Sequence, residues 1–523
     1  MTATPFPERP NLEQLKHQAK DLLRSARDRD IDALSRFTIL PAFAHATDLD
    51  VSRAALALHD AQSVIAREQG FDSWNALREH VEDRTLAFDA AVDQFLEAAT
   101  SQRPDRAERL LELHPEIARA NLQTALVLGD AVAVEARLAR NEALATAEGG
   151  IRGWQPLHYL CYTSVGARSA QRENGLVAIA RRLIAAGADP NLRFPWRHHE
   201  VNRPVLWGAV MQVRSLPLAD VLLGSGANPS DGVTVTLAAS GGDLAALDLL
   251  LAHGADVNHP WATDGSAPLY AILHWSRTAD GARWLLDHGA DPDPVFPVNG
   301  ETPMHVVAAA WDASLAAELA SRGADISRPR ADGRTPYAVA ELHGNREVAA
   351  WLLARGASDD LLPIDRLVAA CSRGDRAAAA AMLTTTPGLR SQIGPEHYAA
   401  FYRAAEKNDT AALEAMLDCG FDPNRRDESI NKTALHVAAL EGWPDAVRVL
   451  LARGASVTAR DREFNAQPLL WAAEGSRTRR PGRDHAAVGR LLLDAGSPTD
   501  WDYKEEPAEG ITDIVNAWKQ SEG

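Results

Sequence analysis

Residues Gly300–Asn345 read GETPMHVVAAAWDASLAAELASRGADISRPRADGRTPYAVAELHGN. Two phrases sit here in fixed order. The first is Thr302-Pro303 followed by an apolar run. Threonine caps a helix start, and proline suits the first helical position, where its missing N–H is not needed. The second phrase runs from Leu319 through Gly323 to Asp325. Leucine and alanine favour a helix. Glycine supplies the left-handed conformation that ends one, and the Ala-Asp that follows leads into a turn. Thr335-Pro336 then opens the next unit. The stretch therefore reads as helix, short turn, helix and projecting loop, and then begins again.

Both phrases recur along the chain. The closing phrase is LIAAGADPN from Leu183, LLAHGADVN from Leu250, LLDHGADPD from Leu285 and LLARGASVT from Leu450. Its glycines are Gly187, Gly226, Gly254, Gly289, Gly323, Gly356, Gly420, Gly454 and Gly496, spaced 39, 28, 35, 34, 33, 64, 34 and 42 apart. The 64 is about two units, so one repeat has lost its glycine. The opening phrase is QPLHYL at Gln155, RPVLWGA at Arg203, APLYAIL at Ala267, TPYAVAE at Thr335, TALHVAA at Thr433 and QPLLWAA at Gln467.

This pair of phrases resembles the ankyrin repeat, with its T-P-L-H-x-A and G-A-D signatures at a period of about 33. The likeness covers roughly residues 150–500. It implies an all-α fold, a curved ankyrin-repeat solenoid of about twelve helix pairs with an N-terminal helical segment. It also implies that the phrase histidines His158, His305 and His436 hold their own unit together by hydrogen bonding near the threonine. Leu206, Tyr270, Ala338 and Leu470 depart from that histidine. The segments NLEQLKHQAKDLL and AQSVIAREQGFDSW are similar to those preceding bacterial ankyrin arrays.

The expected layout is a helical segment over 1–84, divergent helix-pair repeats over 85–150 and ankyrin repeats over 151–360. More repeats follow over 361–500, the first divergent (TTTPGL in place of a glycine loop), and a cap or tail over 501–523. In the N-terminal segment, Leu12, Leu15, Ala19, Leu22 and Leu23 form one helical stripe. Ala54, Ala55, Leu58, Ala61 and Ile65 form a second, and Phe71, Trp74, Leu77 and Val81 a third, with Ser73 as cap. The segment is read as a cap on the first repeats or a separate binding module.

The chain has 523 residues and a net charge of −17. That balance argues against sequence-independent nucleic-acid binding, which draws its affinity from Lys and Arg. The three cysteines, Cys161, Cys371 and Cys419, are widely spaced and form no CxxC pair, which argues against a disulfide framework or a zinc site. A start without a basic-then-apolar leader and the absence of an apolar run of about 20 residues point to a soluble, cytoplasmic protein. No phosphate-binding, nucleophile-elbow, kinase or dinucleotide phrase is present, so no enzyme and no cofactor are expected.

The expected function is binding of another protein through the concave groove and projecting loops. Ends of the first helices offer Met211, Gln212, His274, Trp275, Trp311 and His343 to the groove, with His253, His288, Arg322 and Arg355, just before the marker glycines, as a basic or titratable row beside them. An aromatic groove suits a partner peptide or helix; the bland alternative is that these side chains plug gaps between repeats. The long loop Leu192–Pro204 carries Arg193, Trp196, Arg197, His198, His199 and Glu200, a candidate contact because Trp and Arg dominate interfaces. Ordinary loop packing is the alternative there, and a metal is disfavoured because adjacent histidines in an extended loop diverge. The insert with Arg477, Arg479, Arg480 and Arg483 is a local positive spot for an acidic or phosphorylated partner, or a solvated loop. The other class of function is an enzyme or small-ligand protein with a pocket where His253, His274, His288 and His343 converge with carboxylates.

Overall fold

The Thr-Pro starts and glycine stops become helix ends in the computed structural model, which describes residues 11–44, 46–54, 56–195, 202–261, 263–276, 279–476 and 482–499. The chain divides into two compact units, Met1–Thr234 with Ala245–Ala255 and Val235–Leu244 with Asp256–Gly523. Among the described residues the fold is all-α but for one short hairpin, Arg193–Pro195 paired antiparallel with Asn202–Pro204.

The first unit opens with five helices, Leu12–Arg27, Ile31–Arg36, Asp48–Arg53, Leu58–Glu68 and Trp74–Thr85. They enclose a core of their own around Ala19, Phe37, Ala61, Val64 and Leu77. Ser73 caps the fifth, its hydroxyl accepting from the Ala76 N–H at 3.2 Å. The stripe read through Ala54 and Leu58 is not one helix: Asp48–Arg53 stops at Ala54, and Leu58 starts the next. Helix pairs follow. Phe88–Ala99 with Pro104–Leu113, and Leu122–Leu128 with Ala131–Leu138, are the divergent ones; Pro156–Cys161 with Ala170–Ala185 comes next. Val205–Trp207 then widens into a π-helical turn, Gly208–Val213, before Leu216–Gly224.

In the second unit the pairs are Pro268–Trp275 with Asp280–Asp287, Pro303–Ala310 with Ala313–Ser321, and Pro336–Leu342 with Arg346–Ala354. Pro363–Ser372 with Arg376–Thr385 and Tyr398–Glu406 with Thr410–Cys419 continue the stack. Ala434–Glu441 with Pro444–Ala452 and Pro468–Ser476 with His485–Asp494 complete it. With Thr234–Ser240 and Leu244–Ala252, the described residues hold twelve helix pairs.

The phrase histidine binds its repeat to the next one. Nδ1 of His305 accepts from the Thr302 N–H at 3.1 Å and lies 2.9 Å from the Thr302 hydroxyl, while Nε2 sits 3.2 Å from the Arg334 carbonyl oxygen. A carbonyl can only accept, so Nε2 carries the proton and Nδ1 is bare. His436 repeats this with Thr433 at 3.1 and 2.9 Å and the Ala466 carbonyl at 3.2 Å. Where tyrosine replaces histidine, the Tyr270 hydroxyl donates to Glu301 Oε2 of the next repeat at 2.9 Å. Trp207 is buried; Trp471 is only half-buried, its indole N–H donating to Asp461 Oδ2 at 2.9 Å.

All nine marker glycines take positive φ, from 82° at Gly454 to 103° at Gly420. At Gly323, with φ 102°, an added Cβ would meet nothing within 4 Å. The cost of a side chain there is therefore backbone strain and not a clash. Gly323→Val is expected to destabilise by ~1–2 kcal/mol, seen in a denaturant melt as earlier loss of the repeats beside it. Wild-type melting would show that the helix does not need the left-handed residue.

Candidate partner-binding face

In the second unit the first helices lie on the inside of a bend. The repeat at 363–385, whose closing loop lacks the marker glycine, lets its neighbours meet past it. Helix Pro336–Leu342 touches helix Tyr398–Glu406 directly. Arg346 forms an ion pair with Asp409, two repeats on. Arg403 reaches further and donates through Nη1 to the Ala309 carbonyl at 2.8 Å, capping the end of Pro303–Ala310. The face made by the ends of the first helices is thus closed at one side by Arg403.

Trp275 is the exposed aromatic of this face. It ends helix Pro268–Trp275 and leaves 53% of its surface open, although Leu269–Leu273 behind it are buried. Its ring packs edge-on against Trp261 at 5.7 Å. His274 lies 6.4 Å from Trp275, edge-on, and stacks on Tyr270 at 5.6 Å; Tyr270 in turn stacks on Phe296 at 4.7 Å. One aromatic ladder therefore runs from the loop residue Phe296 to Trp261.

Trp311 occupies the matching position one repeat later, yet it is half-buried and acts as a wedge. Its indole N–H donates to the Leu273 carbonyl at 3.0 Å, and its own carbonyl accepts from Asn345 Nδ2 at 2.8 Å. His343 is also drawn in. Burial, and then the Arg403 and Arg330 charges, bring its pKa down to about 4, so it is neutral at pH 7.

The residues before the marker glycines do not join this group. His288 stacks on Trp284 at 3.9 Å with Nδ1 2.8 Å from the Trp284 carbonyl oxygen, Arg322 pairs with Asp287, and Arg355 lies 4.1 Å over Trp351. These partners all belong to second helices, so the row lies one helix layer from the ends of the first helices.

In the first unit, His253 Nε2 lies 2.8 Å from Asp220 Oδ1. Met211 and Gln212 are half-buried in the π-helical turn, where Gln212 Oε1 accepts from Gln102 Nε2 at 2.5 Å. Arg193, on the hairpin, donates to the Asp231 carbonyl at 2.9 Å. Trp196, Arg197, His198, His199 and Glu200, and Arg477, Arg479 and Arg480 of the late insert, lie outside the described residues. Arg483 is described, 3.7 Å over the Trp443 ring and 2.9 Å from Glu441. Of the histidines named for a catalytic pocket, His253, His274 and His288 thus have separate local partners, and His343 is buried beside the Arg403 charge. Among the described residues, no three His, Cys, Asp or Glu side chains are grouped so as to hold a metal, and no helix is long and apolar enough to cross a membrane. Trp261 was not read from the sequence as part of this face; it sits in a loop outside both repeat phrases.

Residues 367–500 match the family described as ankyrin repeats (3 copies). Ankyrin repeat and SOCS box protein 6 of Homo sapiens is 33% identical over 124 residues, 24% of this chain and 27% of that protein. Rabankyrin-5 of Mus musculus is 28% identical over 226 residues, covering 39% of this chain and 19% of its own. Palmitoyltransferase Hip14 of Drosophila melanogaster is 32% identical over 112 residues, 21% and 16% of the two chains. The chain spans about a quarter of the length of the first relatives it matches. The crystal structure of the human ASB11 ankyrin repeat domain aligns at 23% identity and a TM-score of 0.23, over 50% of this chain and 98% of that one. Residues 367–500 thus carry ankyrin repeats, and the helix pairs before them repeat the same helix–turn–helix form.

Proposed function

We propose that the protein recognises a segment of another protein on the first-helix face of its second unit, with Trp275 as the anchor and no covalent chemistry. The exposure of Trp275 carries this reading. A large aromatic left half open beside a fixed aromatic ladder is the kind of residue that dominates interfaces. The relatives' names point to different activities, and the matched stretches are minor parts of those proteins, so none of those activities transfers. In the same reading residues 1–84 cap the first helix pair, and the Arg193 hairpin is a further contact. A cytoplasmic setting and a kinship with bacterial arrays are finer parts of the proposal.

The test uses peptides selected on the wild-type protein from a display library. Trp275→Ala is expected to weaken their binding by about 2 kcal/mol while the melt stays close to wild type. Trp311→Ala is expected to act the other way, lowering stability by about 2 kcal/mol, since its ring is half-buried and full burial costs ~3–5. Binding retained by Trp275→Ala per folded molecule would end the anchor role.

A further inference from the structure

The closure of the bend creates a cavity of about 40 Å³ between the inter-helix turns of three successive repeats. On the same measure a water needs roughly 10–15 Å³, so the space takes a larger group. Arg346, Ser372, Arg403, Lys407 and Asp409 bring the polar groups to it. Ser372 is 4% exposed, and its hydroxyl has no hydrogen-bond partner among the described residues. A buried hydroxyl without a partner costs about 1–3 kcal/mol, and a guest that accepts from it relieves that cost.

The chemistry of the lining is one-sided. Three cations face one carboxylate in a chain whose net charge is −17. That carboxylate is already engaged: Asp409 Oδ1 accepts from the Ala412 N–H at 3.1 Å, and Oδ2 pairs with Arg346. Lys407 is an exposed ammonium, 3.5 Å from Glu406. What remains for a guest is a pair of donors, the exposed Lys407 ammonium and the Ser372 O–H, set among the positive charges of Arg346 and Arg403. A negatively charged ligand made only of acceptors, as a phosphoryl group is, satisfies them.

We propose that this cavity is a phosphoryl-binding site, filled by inorganic phosphate or by the phosphate of a phosphorylated residue on a partner. It is distinct from the Trp275 anchor, because its lining shares no residue with the aromatic ladder and its probe is a free anion. The full-length protein is titrated with inorganic phosphate against chloride at matched ionic strength, read by phosphorus NMR line width and by melting temperature. Binding by the wild type is expected, weakened roughly tenfold in Ser372→Ala and in Lys407→Met, the loss of one hydrogen bond to a charged group. Without phosphate, Lys407→Met is expected to melt as the wild type does and Ser372→Ala somewhat higher, having shed the unpartnered hydroxyl. A phosphoserine peptide run beside its unphosphorylated form identifies the source: tighter binding than free phosphate assigns a partner's phosphate, equal or weaker binding assigns the free anion. A wild-type response no larger in phosphate than in chloride, or variants that bind as the wild type does, would overturn the site.

Discussion

Asp83→Ala is expected to loosen the five N-terminal helices from the first helix pair and to cost the first unit about 3 kcal/mol. Asp83 lies on helix Trp74–Thr85 and is fully buried. Its Oδ1 accepts from Arg106 Nη2 at 2.8 Å, and its Oδ2 accepts from Arg109 Nη2 at 3.0 Å and Nε at 3.2 Å. Both arginines belong to helix Pro104–Leu113, so one carboxylate joins the two elements. Glu79, one turn earlier, takes Arg109 at 2.9 Å and also Arg103. Removing a buried partner costs ~3–5 kcal/mol because charge is left uncompensated. The low end applies because the arginine side chains keep 15% and 27% of their surface exposed and Glu79 still holds Arg109. Asp83→Asn, which keeps the volume but not the charge, should fall between. The measurement pairs a denaturant melt with limited proteolysis of the full chain, where cleavage between the fifth helix and Pro104 should become faster. Equal melts and equal cleavage would show that the N-terminal helices are held by their apolar contacts alone.

Nothing in the local sequence marks Asp83. It is one acidic residue on an acidic helix, and its role depends on which helix docks beside it. The repeat itself was legible because each helix end carries its own chemistry: threonine or proline at the start, a left-handed glycine at the stop. Even the eroded pairs at 88–138 and 363–385 kept enough helical periodicity to be read. The site was legible only as a set of positions. Trp275 and Trp311 both end a first helix, and sequence cannot tell which of them finds a carbonyl to bond and sinks in. His288 and Arg322 were read as a row beside them, and phrase position does not say which helix layer a side chain joins. The cavity at Ser372 depends on three successive repeats, the middle one without its marker glycine, meeting at their inter-helix turns, a consequence of packing and not of any one residue. The same collapse of distance brings the sulfurs of Cys371 and Cys419, 48 residues apart, to 3.5 Å as free thiols.

The repeat histidines should make the second unit sensitive to mild acid. Burial lowers the pKa of His436 to about 4 and lowers that of His305 as well, the carbonyls of Ala466 and Arg334 opposing the shift. The hydrogen bonds explain the direction of the geometry: Nδ1 accepts from the threonine, so a proton placed there removes that bond. An unfolded histidine titrates near 6.5. Between about pH 6.5 and 4 the unfolded chain therefore binds more protons at this position than the folded one, and stability falls as pH falls. It is complete above pH ~6.5 and is lost progressively down to the folded value, on the order of 3 kcal/mol for His436 by pH ~4. The lowered carboxylates act in a separate window. Asp461 and Glu301 contribute stability that is lost only as pH falls below their ordinary values near 4. Denaturant melts of the wild type and His436→Asn at pH 7.5, 6.5, 5.5 and 4.5 isolate the histidine. The variant should start less stable, having lost its link to the Ala466 carbonyl, and should show a shallower decline across the series. A decline in His436→Asn as steep as in the wild type would mean that the acid sensitivity arises elsewhere, with His343, whose pKa is also brought to about 4, the next residue to replace.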